Sequence, residues 1–110
     1  MPIAELSRRF HQIAVRVVEA LDAFGRAAAV DITTEPTGAD LVLLWSGEDR
    51  LELRRQDEET RVRLRARSRG NEFSIGLDDA GFDPERAARR IAMEFIALLA
   101  LTHSHGGAHV

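Results

Sequence analysis

Ile3, Leu6, Phe10, Ile13, Val17, Leu21 and Phe24 recur at spacings of three and four, the mark of one buried helical face. Glu5, Arg8, Arg9, Gln12, Arg16, Glu19 and Asp22 fall largely outside that face, so the pattern predicts an amphipathic helix over residues 2–24. Pro2 suits the first turn, where a missing N–H is harmless, and Gly25 suits the left-handed position past the last turn. From about residue 28 the period changes to two. Residues 41–46, 50–55, 60–68 and 72–77 read as strands and residues 29–34 as a fifth candidate, with Pro36-Thr37-Gly38 breaking the first from the second. The gaps are too short for parallel crossovers, so sequence neighbours must pair antiparallel. Asp83 can cap free N–H groups, Pro84 suits the first helical position and Glu85 complements the dipole, which predicts a second helix over residues 84–102. The expected fold class is α+β, α-β(4–5)-α, an antiparallel meander sheet with two helices packed on one face. One domain over residues 1–103 would be followed by a flexible His/Gly tail over residues 104–110.

Strand register turns this pattern into surfaces. A tight turn at Asp57-Glu58 sets Leu53 against Val62 and Leu51 against Leu64 on the inner side, with Glu52 against Arg63 on the outer. A turn at Arg69-Gly70 would set Ala66 against Phe73, Leu64 against Ile75, Val62 against Leu77 and Arg67 against Glu72. The preceding hairpin admits two registers. A two-residue Gly47-Glu48 turn points Val42 and Leu44 inward and Leu41, Leu43 and Trp45 outward; a three-residue loop reverses both sets. Either way this strand is apolar on both faces, whereas a strand with one wet face alternates. Its outer side is therefore expected to be covered by a tail segment, a second subunit or a partner protein.

The second helix poses a similar problem. Ile91, Phe95, Leu98 and Thr102 share one face, but Met93, Ala97, Ala100 and Leu101 fill much of the remaining circumference. The first helix is expected to pack alongside and take up much of that second strip. Were Met93 and Leu101 exposed instead, the dimer or partner surface would move from the sheet to this helix.

With 110 residues, 45% hydrophobic and 30% charged, the chain has the balance of a single soluble domain rather than a disordered one. The absence of cysteine excludes disulfides, thiolate nucleophiles and Cys-ligated metal centres. No apolar run approaches a membrane span and none at the start reads as a secretory signal, so the expected location is cytoplasmic, with no membrane partner. Double-stranded-RNA-binding domains and frataxins are similar in layout, but in layout alone. Asp83 and Glu85 stand where the RNA binders need a basic helix start, and Arg8, Arg9 and Arg16 interrupt what would be a frataxin's acidic ridge. The residues assign the chain to neither family.

All 15 basic residues are Arg, against 18 acids, for a net charge of -3. That balance speaks against a surface built wholly for nucleic acid. The Arg61/Arg63/Arg65/Arg67 stripe, on one face of one strand, nevertheless has close to the spacing of successive phosphates, and it carries the alternative reading of a nucleic-acid-binding protein. Aromatic platforms for bases are scarce, since Trp45 is the only Trp and Tyr is absent. His103, His105 and His109 have metal-ligand spacing, but Gly106-Gly107 makes a preformed site unfavourable to order, so no metal is expected. No Gly-x-Ser-x-Gly, phosphate-binding loop or EF-hand is present, and Glu58-Glu59 falls in an exposed turn. Neither catalysis nor a cofactor is expected. The leading expectation is a small non-enzymatic protein-binding module (an inhibitor, immunity protein, adaptor or chaperone) acting through its sheet face. Leu41, Leu43, Trp45, Arg63 and Arg65 are its candidate binding residues, with a protein partner or a second copy as the ligand.

Overall fold

The computed structural model describes residues 1–67 and 69–107, and within them every side chain except those of residues 36 and 103–107. The order is α1 (Ile3–Ala28), β1 (Thr33–Gly38), β2 (Leu41–Ser46), β3 (Asp49–Gln56), β4 (Glu59–Ala66), β5 (Arg69–Gly76) and α2 (Pro84–Gly107). The five strands form one antiparallel sheet in sequence order, the meander that short connections demand. Both helices lie on the same side of it. Phe10, Ile13, Val17 and Leu21 of α1 and Ile91, Phe95 and Leu99 of α2 share one core with Leu44, Leu51, Leu53, Val62 and Leu64 of the sheet. Phe95 has no exposed surface.

α1 outruns its expected end. Gly25 stays helical and buried, and Ala29 takes the left-handed cap instead, at φ 55°. The chain then folds back so that Val30 N–H donates to Gly25 O at 2.9 Å. A Cβ at residue 25 would lie 2.8 Å from Val30 O, so this glycine is needed for close approach and not for a positive φ. The longer helix displaces the first strand. Of the expected residues 29–34 only Thr33 and Thr34 are in the strand, which runs Thr33–Gly38 and carries Pro36-Thr37-Gly38 into the sheet as an edge. The register shifts between Pro36 and Gly38, a bulge of the kind an edge strand tolerates.

At α2 the cap is as the sequence implies: Asp83 Oδ1 accepts from Glu85 N–H at 3.1 Å and Arg86 N–H at 3.2 Å. The helix continues past Thr102 to Gly107, there being no proline to stop it. The candidate metal ligands His103, His105 and His109 lie outside the described side chains.

The β2–β3 hairpin takes the two-residue Gly47-Glu48 turn, with Ser46 paired to Asp49 and Gly47 at φ 61°. Leu41, Leu43 and Trp45 accordingly face away from the helices. The β3–β4 pairing is the expected one, Leu53 with Val62, Leu51 with Leu64 and Glu52 with Arg63. The β4–β5 pairing is not. Ala66 pairs with Arg69, so the chain reverses directly after Ala66, and Val62 meets Phe73 while Arg63 meets Glu72. Phe73 and Ile75 still pack against the core. This register leaves residues 77–83 out of the sheet to carry the chain to α2, with Leu77 buried under Arg9, whose Nη1 donates to Leu77 O at 2.6 Å. The expected register would have placed Leu77 in the sheet, opposite Val62.

Candidate functional site

With Gly47-Glu48 fixing the register, the face of the sheet opposite the helices can be read as three rows running across the strands. Glu35, Leu43, Glu52, Arg63 and Glu72 are successive partners in the middle row. On one side lie Leu41, Arg54, Arg61 and Ser74; on the other lie Thr33, Trp45, Arg50, Arg65 and Gly70. Neither α1 nor α2 crosses this face.

Leu41, Leu43 and Trp45 thus sit together on an uncovered sheet, as one of the two sequence registers required. They are only half-buried, and what shields them is the face itself. Arg50 lies over the Trp45 ring with its guanidinium carbon 5.6 Å from the centroid, a cation–π contact. Trp45 Nε1 donates to Glu35 Oε2 at 3.2 Å, which fixes the indole plane. Glu52, under these long side chains, is only 9% exposed. The outer face is thus a layer of flat-lying side chains with an apolar strip at the β2 end.

The Arg stripe is shorter and more neutralised than the sequence suggests. Arg67 leaves it: directly after the Ala66 pair, it sits beyond the strand at φ 52°. Of the remaining three, Arg61 is 3.3 Å from Glu72 and 3.8 Å from Glu59, and Arg63 is 3.6 Å from Glu72. Glu52, expected to answer Arg63, lies 3.6 Å from Arg54 instead. Arg65 has no carboxylate within salt-bridge distance among the described residues, and neither has Arg50, its partner on β3.

Arg50 and Arg54 belong to this face as well, outside the stripe that the sequence singles out. The signal was present in the alternation Arg50-Leu51-Glu52-Leu53-Arg54, which places both Arg residues beside the stripe once the register is chosen. Arg50, Arg63, Arg65, Gly70, Asn71 and Glu72 border an open depression of about 400 Å³.

The helices carry a second uncovered surface. Phe10, Ile13, Val17 and Leu21 are buried as expected, but they do not reach the far side of α2. Met93 is 62% and Leu101 54% exposed, with Ala97 and Ala100 exposed between them. A groove of about 460 Å³ runs alongside, lined by Arg16, Glu19, Ala20, Arg89, Met93 and Ile96 among others. The expectation that α1 covers this strip fails for a geometric reason. The single contact line between two helices hides a limited arc, and α2 is apolar over more than that arc.

Among the described residues, no group of three or more His, Cys, Asp or Glu side chains is placed to hold a metal. No helix among them is long and apolar enough to cross a membrane. Ser7 Oγ donates to Asp40 Oδ1 at 3.2 Å and so joins the ion pair of Asp40 with Arg55. Compared with protein-family models, with curated proteins and with solved structures, the chain finds no significant match.

Proposed function

We propose that the chain is a non-catalytic protein-binding module, working in the cytoplasm, that docks a partner protein on the outer face of its sheet. The observation that supports this reading is the juxtaposition of Leu41, Leu43 and Trp45 with the Arg-rich rows of β3 and β4, on a face that neither helix covers. An apolar anchor beside a polar, charged rim is the anatomy of a protein interface. Inhibitors, immunity proteins, adaptors and chaperones all work through such a surface. A nucleic-acid track has weaker support: Glu52 and Glu72 stand in the middle row, Arg61 and Arg63 are engaged by Glu72, and Arg67 is off the strand.

A photo-crosslinking residue at Leu43, introduced into the full chain in its native cells, tests the reading. The expected result is a discrete protein adduct from position 43 and none from a control at Arg26 on α1. Equal smears from both positions would sink the proposal, and nuclease-sensitive adducts would replace it with the nucleic-acid alternative.

Met93 and Leu101 are exposed, which is the condition for moving the association surface from the sheet to α2, and this supports self-association there. In an antiparallel pair of α2 helices crossing at Ala97, Met93 of one copy meets Leu101 of the other and the small Ala97 side chains allow close approach. The homodimer belongs to the helix side, which leaves the sheet free for a different protein.

A further inference from the structure

We propose that the depression between Arg50, Arg65 and Gly70 is a carboxylate subsite, which receives an Asp or Glu side chain from an acidic segment of the partner protein. This rests on the reading of the outer sheet face as a docking surface and specifies its chemistry.

Four observations converge on the spot. Arg50 and Arg65 are direct cross-strand partners, an arrangement that is repulsive unless an anion sits between them. The other like-charged pair on this face, Arg54 with Arg61, is already answered, by Glu52 on one side and by Glu59 and Glu72 on the other. Arg50 Nε is buried and has no hydrogen-bond partner among the described residues, so a donor is held in place with nothing to donate to. Finally, Gly70 is the register partner of Arg65; its lack of a side chain leaves the depression open on the β5 side, where Asn71 and Glu72 border it. Two guanidinium forks that no carboxylate answers among the described residues match the planar, two-oxygen geometry of a carboxylate.

The surroundings select the source of that carboxylate. Glu52 and Glu72 stand in the next row, so a polyanion with charges repeating every 6–7 Å or so would bring its neighbouring phosphates against carboxylates. A single acid with apolar neighbours meets only Glu72, whose charge Arg61 and Arg63 already answer. Trp45 lies next to Arg50 in the same row, and the step from Arg65 to Trp45 covers two strand spacings, about 10 Å. The partner segment is thus one that presents an acidic and an apolar side chain about 10 Å apart, the acid over Arg50 and Arg65 and the apolar group against Trp45 and Leu43.

The experiment is an NMR titration of the 15N-labelled full chain, reading backbone amides and the Arg Nε–Hε signals. The probes are an acetylated, amidated Glu-Ala-Ala-Leu peptide, whose acid and leucine lie about 10 Å apart when extended, its Gln-for-Glu counterpart, sodium phosphate and an oligothymidylate. The expected result is saturable shifts at Arg50, Arg65 and Gly70 with the Glu peptide and none with the Gln peptide. Arg65→Gln, at an exposed position, should weaken binding about tenfold or more, as loss of a charge-assisted bond implies. Gly70→Val, which fills the depression without altering charge, should weaken it comparably, while Arg89→Gln on α2 should not. Tighter binding of phosphate or oligothymidylate at the same residues would overturn the carboxylate assignment. Absence of shifts at Arg50 and Arg65 with every probe would overturn the subsite, while a crosslink from Leu43 would still uphold the docking face.

Discussion

Arg55 grips Asp40 with two parallel hydrogen bonds, Nε to Oδ1 at 2.8 Å and Nη2 to Oδ2 at 3.2 Å, and so ties the β1–β2 turn to β3. The backbone repeats the link, Arg55 N–H donating to Asp40 O at 2.9 Å. The Arg55 hydrogen bond and charge outweigh the burial that would raise the Asp40 pKa, and they hold it below its ordinary value. A carboxyl whose folded pKa is depressed stabilises the protein above its unfolded pKa, and that stability is lost as pH falls through the folded value. Asp40→Asn is therefore expected to lower stability at pH 7 by about 0.5–1 kcal/mol, solvent screening having been allowed for. The difference should vanish in acid below the usual carboxylate range, which denaturant melts at a series of pH values will show.

Glu58 behaves oppositely. Its neighbour Asp78, first by a shared hydrogen bond and then by repulsion, raises the Glu58 pKa above its ordinary value. A raised carboxyl pKa contributes stability at low pH that is lost as pH rises through the folded value. Glu58→Gln is expected to raise the thermal midpoint at pH 7 and to change it little at pH 3. An unchanged pH profile would mean that the two acids do not meet in solution.

Phe95, fully buried between the sheet and α1, is the heaviest single contribution to the core from α2. Phe95→Ala should cost roughly 3–5 kcal/mol, and denaturant melts measure it directly. Less than about 1 kcal/mol would place Phe95 outside the core.

Met93→Glu puts a charge on the exposed strip of α2 and leaves the core untouched. If the helices pair, sedimentation should show a dimer for the native chain and a monomer for the variant, with the thermal midpoint of the monomeric state unaltered. A native chain that stays monomeric at high micromolar concentration rules out the α2 pairing.

How far the fold could be read in advance depends on how local its determinants are. The period of three and four in α1, the Asp83 cap and the hairpin at Asp57-Glu58 are local, and each is found where the residues imply. Gly25 was misleading because a glycine serves two purposes. Only the fold-back of Val30 shows that closeness, and not a left-handed turn, is what this one provides. The β4–β5 register depended on where Leu77 would be buried and on how much chain was needed to reach α2, both non-local quantities. The outer face was legible as a doubly apolar strand with an Arg stripe, and Arg50 was missed because it joins the stripe only through pairing between strands. Which Arg residues are neutralised was not legible at all, since Glu72 serves two of them from a third strand.

The sequential order of the strands has a kinetic side. Each strand pairs with the one before it, through tight reversals such as Gly47-Glu48 and Asp57-Glu58, so the hairpins can zip up one after another with little loop-closure entropy. The inner face so formed, with Leu44, Leu51, Leu53, Val62 and Leu64, is then covered by α1 alone until α2 emerges from the ribosome. A nascent chain paused after β5 displays a half-lidded oily sheet with the free edges of β1 and β5 on either side. The last helix ends that interval by covering the sheet, and any slowing of its synthesis lengthens the time during which two such sheets can stick together.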